Sequence, residues 1–257
     1  MFNFKTLNFI FGLIIIAILA SDLFFSIGFI PYISAAIIYF IFIVIGVMNI
    51  RSGFFIKALC RAESGEKAVS LTFDDGPAEF TSQILDILKE YNIKATFFCI
   101  GKQIEENQEM LKRINHEGHL IANHSYSHNF WFDFWSSRKI IADLKKTEEL
   151  VYNLTSHKIK LFRPPYGVTN PAIKKAAGKM KYTVIGWSLR SFDTVHKDKE
   201  KLLLRLKKLL KPGNIILLHD SQKITAGILK DFLDYTIANN IPFKRLDELL
   251  KIEAYEK

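Results

Sequence analysis

The 257-residue chain has only two cysteines, and it lacks internal repeats and low-complexity tracts. Cys60 follows a long apolar region and Cys99 lies within a strand-like apolar run, so neither a disulfide framework nor a cysteine-based metal site is predicted. No nucleic-acid-binding motif accompanies the net charge of +9. Charge alone is weak support for nucleic-acid binding, and we expect no nucleic-acid partner.

Charged residues are nearly missing from residues 6–50, where Asp22 is the single exception. A helix needs about 20 apolar residues to cross the hydrocarbon core of a bilayer, so this region has room for two crossings. We predict transmembrane helices at about residues 7–26 and 31–49. A cleaved signal peptide fits poorly, because Ile18 stands where a small residue should precede Ala20 and a second apolar run follows. The competing interpretation is a buried helical hairpin of a soluble fold.

The charges around this predicted hairpin leave its orientation open. Basic residues flank its two ends and none lies in its turn, so the positive-inside rule favours a cytoplasmic C-terminal part. If only one segment spans, that part lies outside. Lys5 and Asp22 cancel, so residues 51–257 carry the whole net charge, which suits acidic phospholipid or an anionic glycan. We predict an anchor and linker over residues 1–62 and a folded domain over residues 63–257.

Strand-like and helix-like segments alternate through the predicted domain. The apolar periodicity predicts strands at 69–73, 95–100, 119–122, 161–162, 182–186 and 215–218. It predicts helices at 80–91, 104–117, 136–154, 171–179, 199–211 and 224–239. Repeated βα units with short connections indicate an α/β fold with a parallel sheet, either open or closed into a barrel.

Titratable side chains follow five of these strands. They are Asp74 with Asp75, His124 with His128, Arg163, Asp193, and His219 with Asp220. The carboxyl ends of parallel strands meet on one rim, so we expect these groups to converge. A single histidine in such a place is more often a hydrogen-bonded core residue. Convergence of the whole set is difficult to explain by structure alone, and it indicates a functional site.

The composition of this set favours a metal site. Two imidazoles four residues apart and one carboxylate make three ligands for Zn2+ or a similar divalent ion and leave one position open. Such an ion lowers the pKa of its water from about 15.7 towards about 7. A neighbouring carboxylate can then accept the proton. Successive strand residues point in opposite directions, so Asp74 and Asp75 are expected to divide these two tasks.

Four segments resemble the motifs of a known enzyme family in order and spacing. They are Thr72–Pro77, His124–His128, Arg163–Gly167 and Leu218–Asp220, and they resemble the polysaccharide deacetylases, the NodB-homology enzymes of carbohydrate esterase family four. The resemblance covers about residues 66–243. It implies a distorted (β/α) barrel after the predicted transmembrane hairpin. It also implies a catalytic domain that removes acetyl groups from glycans with a divalent metal.

The resemblance assigns a role to each matching polar residue. Asp75, His124 and His128 are implied as metal ligands, and Asp74 as the general base. Arg163 is implied to pair with Asp74 and hold it ionised.

The remaining roles concern the leaving group and the substrate. His219 is implied as the general acid, and Asp193 as the residue that orients His219 and raises its pKa. The backbone N–H of Tyr166 is implied to stabilise the oxyanion. The resemblance also implies substrate contacts from Pro165, Trp187 and Leu218.

Two substitutions depart from the family pattern, and one aromatic segment falls outside it. Arg190 stands where an acidic residue is usual, and Thr194 replaces an aromatic residue that helps to line the acyl pocket. Both changes widen the range of conceivable substrates, including a formylated sugar. The aromatic segment 130–135 has three interpretations: lining a sugar cleft, lying at a membrane interface, or packing under a loop.

The sequence therefore predicts a membrane-anchored, metal-dependent glycan N-deacetylase of a bacterial cytoplasmic membrane. The predicted substrate is N-acetylglucosamine of peptidoglycan, and the predicted cofactor is Zn2+, with Co2+, Ni2+ or Mn2+ as alternatives. The predicted partners are the glycan and, through the hairpin, membrane lipid; no protein partner is indicated. An enzyme alternative is a deacetylase or deformylase of a lipid-linked sugar. A non-enzyme alternative is a glycan-binding pseudoenzyme.

Overall fold

The computed structural model describes residues 3–256. Within them lie seven short strands, six of which correspond to the predicted ones, and most are connected by helices. The strands are β1 (Ser70–Asp74), β2 (Thr96–Cys99), β3 (Leu120–Asn123), β4 (Leu161–Phe162), β5 (Thr183–Val184), β6 (Leu189–Arg190) and β7 (Ile215–His219). The helices are α1 (Phe4–Phe25), α2 (Ile30–Met48), α3 (Thr81–Glu90), α4 (Gly101–Glu106), α5 (Gln108–His116), α6 (Ser137–Thr155), α7 (Pro171–Lys179), α8 (Lys199–Leu209), α9 (Lys223–Ala238) and α10 (Leu246–Leu250).

All seven strands belong to one parallel sheet with the order β5-β4-β3-β2-β1-β7-β6. The central strand β1 is buried along its whole length, which is typical of a parallel sheet covered on both faces. The predicted α/β fold, a distorted (β/α) barrel, is confirmed. In the register of β1 with β7, Asp74 lies opposite His219. Two of the predicted site residues therefore end neighbouring strands at the same level.

The two faces of the sheet build two cores. Alternate residues such as Leu71, Phe73 and Phe97 pack outwards against the helices. Their neighbours, including Phe98, point to the inner side, where Leu246 of α10 packs against residues at the beginnings of the strands. The inner side is therefore filled at the amino ends of the strands. The polar site lies at their carboxyl ends.

Helices α1 and α2 are long and apolar enough to cross a membrane, and their bounds lie close to the predicted segments 7–26 and 31–49. At 1.5 Å per residue the 22-residue α1 is about 33 Å long, against a hydrocarbon core of about 30 Å. Most of their large apolar side chains are exposed. Such exposure disfavours a hairpin buried in a soluble fold, because exposed apolar surface is unfavourable in water.

The segment after the hairpin is packed onto the domain. Ile50 is buried in the main core, and Leu59 forms a parallel bridge with Ile185 next to β5. The Thr169 N–H donates to the Val47 carbonyl oxygen in the last turn of α2, at 3.1 Å. Residues 50–62 thus contribute to the structure of the domain, and α2 ends against it.

Two local predictions need correction. The predicted helix 104–117 is two helices, because Asn107 has a non-helical backbone (φ −134°, ψ 48°) between α4 and α5. Strand β6 was not predicted. It has two residues, and one of them is the exposed Arg190, so it lacks the paired apolar residues that indicated the equally short β4.

Candidate active site

The two carboxylates after β1 lie in different backbone environments. Asp74 is the last residue of the strand and is 3% exposed. Asp75 lies beyond the strand with a φ of +78°, a conformation that is uncommon for a residue other than glycine. Asp75 is not a strand residue, so strand alternation does not set the directions of the two side chains, and that expectation was wrong. Both carboxylates approach His124 Nε2, with Asp74 Oδ2 at 3.8 Å and Asp75 Oδ1 at 3.6 Å.

Asp74 is paired with a fully buried arginine. Its Oδ1 accepts a hydrogen bond from Arg163 Nη1 at 2.6 Å. The same guanidinium donates to Thr72 Oγ1 at 2.9 Å and to the Gly186 carbonyl oxygen at 3.0 Å, and it stacks 3.9 Å from the ring centroid of Phe98. Burial lowers the pKa of Arg163, whereas Asp74 raises it, and an arginine remains charged under such conditions. The ion pair fixes one oxygen of Asp74 in the site.

Asp75, His124 and His128 form a cluster that can hold a metal ion. One ligand atom from each residue lies within 4.8 Å of the others. His124 Nε2 and His128 Nε2 are each 3.6 Å from Asp75 Oδ1. Metal–ligand bonds of about 2.0–2.1 Å in a tetrahedral site place neighbouring ligand atoms about 3.3 Å apart, close to the observed separation.

The environment of each histidine agrees with a ligand role. His124 Nδ1 lies 2.7 Å from the Arg163 carbonyl oxygen, which can only accept, so Nδ1 carries the proton. The Nε2 lone pair is then directed to the cluster, the arrangement typical of metal-binding histidines. Burial and the nearby His124 lower the pKa of His128 to about 4, so His128 is neutral at physiological pH. The three residues therefore fit a divalent ion.

The loop that carries the two histidines is held by buried polar side chains. Asn123 Oδ1 accepts from the Ser125 N–H at 2.8 Å, and Asp143 Oδ1 accepts from the Tyr126 N–H at 2.7 Å. The backbone is left-handed at Ser125 (φ 69°) and at His128 (φ 42°). The His-x3-His pair thus lies on a strained loop and not on a helix. Each such residue costs about 1–3 kcal/mol, which the surrounding contacts must offset.

His219 ends β7 and is bound to a buried carboxylate. Its Nδ1 lies 2.7 Å from Asp193 Oδ1, and its backbone N–H donates to Asp193 Oδ2 at 2.7 Å. Thr225 Oγ1 also donates to Asp193 Oδ2, at 2.6 Å. Burial alone lowers the pKa of His219, but the hydrogen bond and charge of Asp193 outweigh it and raise the pKa to about 9. His219 is consequently protonated at neutral pH.

These groups surround one cleft of about 260 Å3. Its lining residues are Asp74, Asp75, His124, His128, Tyr166, Gly167, Trp187, Arg190, Thr194, Leu217 and His219. Asp74 and His219, expected to act as base and acid, therefore share the cleft with the candidate metal ligands.

The residues expected to contact substrate divide into two groups. Tyr166 and Trp187 line the cleft, and the Tyr166 ring lies 4.9 Å from the His128 ring. Pro165 is buried, and so is Leu218, which packs in the core between the sheet and the helices. Because alternate residues of β7 face opposite sides, Leu217 takes the position in the cleft that was expected for Leu218.

Asp220 supports the turn after Asp75, a role that the sequence alone did not suggest. It is fully buried, and its Oδ2 accepts from Thr81 Oγ1 at 2.6 Å. A Cβ added to Gly76 would overlap the Asp220 carboxylate. Burial raises the pKa of Asp220 to about 7. In the sequence, the only indication of a role for Asp220 is its position directly after His219.

The aromatic segment is split between core and surface. Phe132 is buried, and Trp135 is half-buried against the same core. Phe130, Trp131 and Phe134 are exposed. Packing under a loop therefore accounts for Phe132 and Trp135, but not for Phe130, Trp131 and Phe134.

The comparisons with known proteins identify the family of the chain. A family model described as polysaccharide deacetylase matches residues 61–185. A peptidoglycan-N-acetylglucosamine deacetylase of Bacillus cereus is 32% identical over 194 residues, which are 73% of this chain and 90% of the relative. The PgdA peptidoglycan-N-acetylglucosamine deacetylase of Listeria monocytogenes is 33% identical over 184 residues, 71% of this chain. The match spans only 39% of that longer relative.

Solved structures are similar to the fold. The Bc1960 peptidoglycan N-acetylglucosamine deacetylase has a TM-score of 0.74 at 29% identity, covering 77% of this chain and 95% of its own. A pseudoenzyme of carbohydrate esterase family four from Bacillus anthracis has a TM-score of 0.69 at 29% identity, covering 74% and 67%. The fold thus occurs in enzymes and in a protein described as a pseudoenzyme.

The parallel α/β fold of this chain is like those of the solved peptidoglycan deacetylase and pseudoenzyme structures. The chain belongs to the polysaccharide deacetylase family.

Proposed function

We propose that the protein is a metal-dependent N-deacetylase that acts on N-acetylglucosamine of peptidoglycan. One observation carries the proposal. The Asp75, His124 and His128 cluster lies in a single cleft with a buried, arginine-paired Asp74 and a histidine whose pKa is raised. The names of the similar proteins support the choice of polymer. The pseudoenzyme alternative is weakened because the expected base, acid and ligands are all present.

The proposed cofactor is a divalent metal ion, with Zn2+ as the first candidate, held by Asp75, His124 and His128. When bound, such an ion supplies Lewis-acid polarisation of the amide carbonyl and lowers the pKa of water in the site. Asp74 accepts a proton from the attacking water while the water oxygen bonds to the amide carbon. Arg163 holds the Asp74 carboxylate in position for this step through the 2.6 Å ion pair.

His219 completes the reaction as general acid. As the carbon–nitrogen bond breaks, His219 gives its proton to the departing amine, and acetate and a free amino sugar result. Asp193 holds the imidazole by Nδ1, so the proton to be transferred is on Nε2. We assign Asp193 and Arg163 as positioning residues. The Tyr166 N–H, whose peptide lies in a left-handed turn (φ 58°), is proposed to stabilise the oxyanion.

We further propose that α1 and α2 anchor the enzyme in the bacterial cytoplasmic membrane as a two-span protein. Action on peptidoglycan requires the catalytic domain on the outer side, the opposite of the side that the flanking basic residues favour; long domains can translocate regardless of such charges. The proposed anchor extends to residue 62 and the catalytic domain covers 63–257. Because Ile50 and Leu59 pack on that domain, assays should use the full chain.

A second candidate function is deacetylation or deformylation of a lipid-linked sugar. The loop Pro165–Gly167 lines the cleft at Tyr166 and Gly167, and two residues later Thr169 bonds to Val47 at the end of α2. The cleft therefore lies close to the end of a proposed membrane span. A substrate presented at the bilayer surface would reach it there.

One experiment separates these functions. The full chain in nanodiscs is offered peptidoglycan, a chitooligosaccharide and a lipid-linked N-acetylated sugar, and the free amine and the released acetate or formate are measured. We expect amine and acetate from peptidoglycan. Release from the lipid-linked sugar alone favours the second function. Glycan binding without release from any substrate, with metal bound, supports the pseudoenzyme. Asp74→Asn serves as the inactive control.

A further inference from the structure

Three aromatic side chains form an exposed patch beside the cleft. Phe130, Trp131 and Phe134 are 71%, 59% and 81% exposed. Their rings contact one another edge to face, with centroids 5.1 Å apart for Phe130 and Trp131 and 5.7 Å apart for Trp131 and Phe134. Contiguous exposed apolar groups of this kind mark interaction surfaces. We call these three residues the aromatic patch.

The aromatic patch is tied to the base of the hairpin by two hydrogen bonds. Asn170 Nδ2 donates to the Asp133 carbonyl oxygen, within the patch loop, at 2.6 Å. The adjacent residue, Thr169, donates its N–H to the carbonyl oxygen of Val47, one residue before the end of α2. The loop is thus connected to the point where α2 ends. If α2 spans a bilayer, that point lies at the bilayer surface.

Basic side chains lie on the same side of the molecule. A cavity of about 400 Å3 at the base of the hairpin is lined by Lys5, Lys57 and Lys174, together with Phe54 and Phe55. Among residues 3–256, no carboxylate lies within 4 Å of these three lysine ammonium groups. Lys174 belongs to α7, whose N-cap is the Asn170 that bonds to the patch loop. Aromatic and basic side chains together are typical of a membrane interface.

We propose that the aromatic patch inserts into the interface of the leaflet nearest the catalytic domain, while Lys5, Lys57 and Lys174 contact anionic lipid headgroups. The patch and the hairpin then form two points of attachment, which hold the cleft close to the bilayer surface. The proposal depends on insertion of the hairpin and not on the catalytic activity. It commits the patch to lipid, although aromatic rings also stack on sugars.

Fluorescence quenching by lipid tests this contact, because the chain has only three tryptophans. The full chain is placed in nanodiscs whose acyl chains are brominated near the headgroup, and tryptophan emission is compared with that in unbrominated nanodiscs. We expect bromolipid to quench the wild type, and Trp131→Phe to lose most of that quenching. Trp187→Phe is the matched control, because Trp187 lies inside the cleft and its loss should leave the quenching in place.

Three results overturn the proposal. They are equal quenching in the wild type and Trp131→Phe, no quenching in either, and failure of the chain to co-purify with nanodiscs. Emission of Trp131 that changes with chitooligosaccharide but not with bromolipid assigns the patch to glycan.

A second arm tests the lysines. Replacing neutral with anionic lipid should increase the quenching of the wild type, and should leave the quenching of the triple variant Lys5→Gln/Lys57→Gln/Lys174→Gln unchanged. An equal response of both proteins overturns the headgroup contact.

Discussion

Replacing Asp193 with asparagine should uncouple His219 from the proton that it is proposed to donate. Asp193 Oδ1 lies 2.7 Å from His219 Nδ1, and its hydrogen bond and charge make the largest contributions to the raised pKa of His219, ahead of Asp74 and Asp75. An asparagine keeps the size of the side chain and removes the charge. Burial of His219 is then opposed only by the Asp74 and Asp75 carboxylates, so its pKa should fall to about its ordinary value.

The size of the effect follows from the fraction of His219 that is protonated. With a pKa of about 9, roughly 90% of His219 is protonated at about pH 8; with the ordinary value of 6.5, roughly 3% is protonated. The variant should therefore lose about 30-fold more activity than its orientation defect alone explains at about pH 8. At about pH 6 the same calculation gives a loss below about twofold, so the variant's deficit should depend on pH.

The assay is the pH profile of kcat for amine release by the full chain, with thermal melting as a check on folding. The basic limb of the wild-type profile should lie near pH 9 and move to about 6.5 in Asp193→Asn. Asp231→Asn is the control, since Asp231 is an exposed carboxylate on α9 outside the cleft. An equal loss of activity at both pH values would refute the proposed link between Asp193 and the proton on His219.

Three further substitutions test other parts of the site. Arg163→Met leaves the buried Asp74 carboxylate unpaired, so it should abolish turnover and lower the free energy of unfolding by about 3–5 kcal/mol, which denaturant titration measures. The added methyl group of Gly76→Ala overlaps Asp220, so this variant should lose activity and about 1–3 kcal/mol of the free energy of unfolding. Nothing lies within 4 Å of a Cβ at Gly178, so Gly178→Ala is the control and should be neutral or stabilising. Equal melting temperatures of the two variants would contradict this. Arg190 lines the cleft beside Trp187, so Arg190→Gln should lower kcat/KM about tenfold for a glycan with a carboxylate near the scissile amide and less for a neutral glycan; an equal loss on both would remove Arg190 from substrate recognition.

The outline of the fold could be predicted because parallel βα units have a strong pattern in sequence. An apolar run that ends in Asp74 indicates a buried strand with a functional carboxyl end, and in the structure Asp74 pairs in register with His219. The polar groups that end these strands converge because the sheet is parallel.

The finer geometry depends on backbone conformation and on contacts distant in sequence. The left-handed turns at Asp75 and His128 have no glycine to signal them. Asp220 contacts Thr81 across a separation of 139 residues, which no local pattern records. The packing of Leu59 beside β5 was also hidden, because a short segment after an apolar hairpin has the composition of a linker.

The most direct test of the account is metal binding and turnover measured together on the full chain. Asp74→Asn should bind one divalent ion with wild-type affinity and release no amine, because Asp74 is assigned to the proton and not to the metal. His124→Ala should lose the ion. Amine release by Asp74→Asn at the wild-type rate, or wild-type metal affinity in His124→Ala, would contradict the assignment of base and ligand on which the proposed function rests.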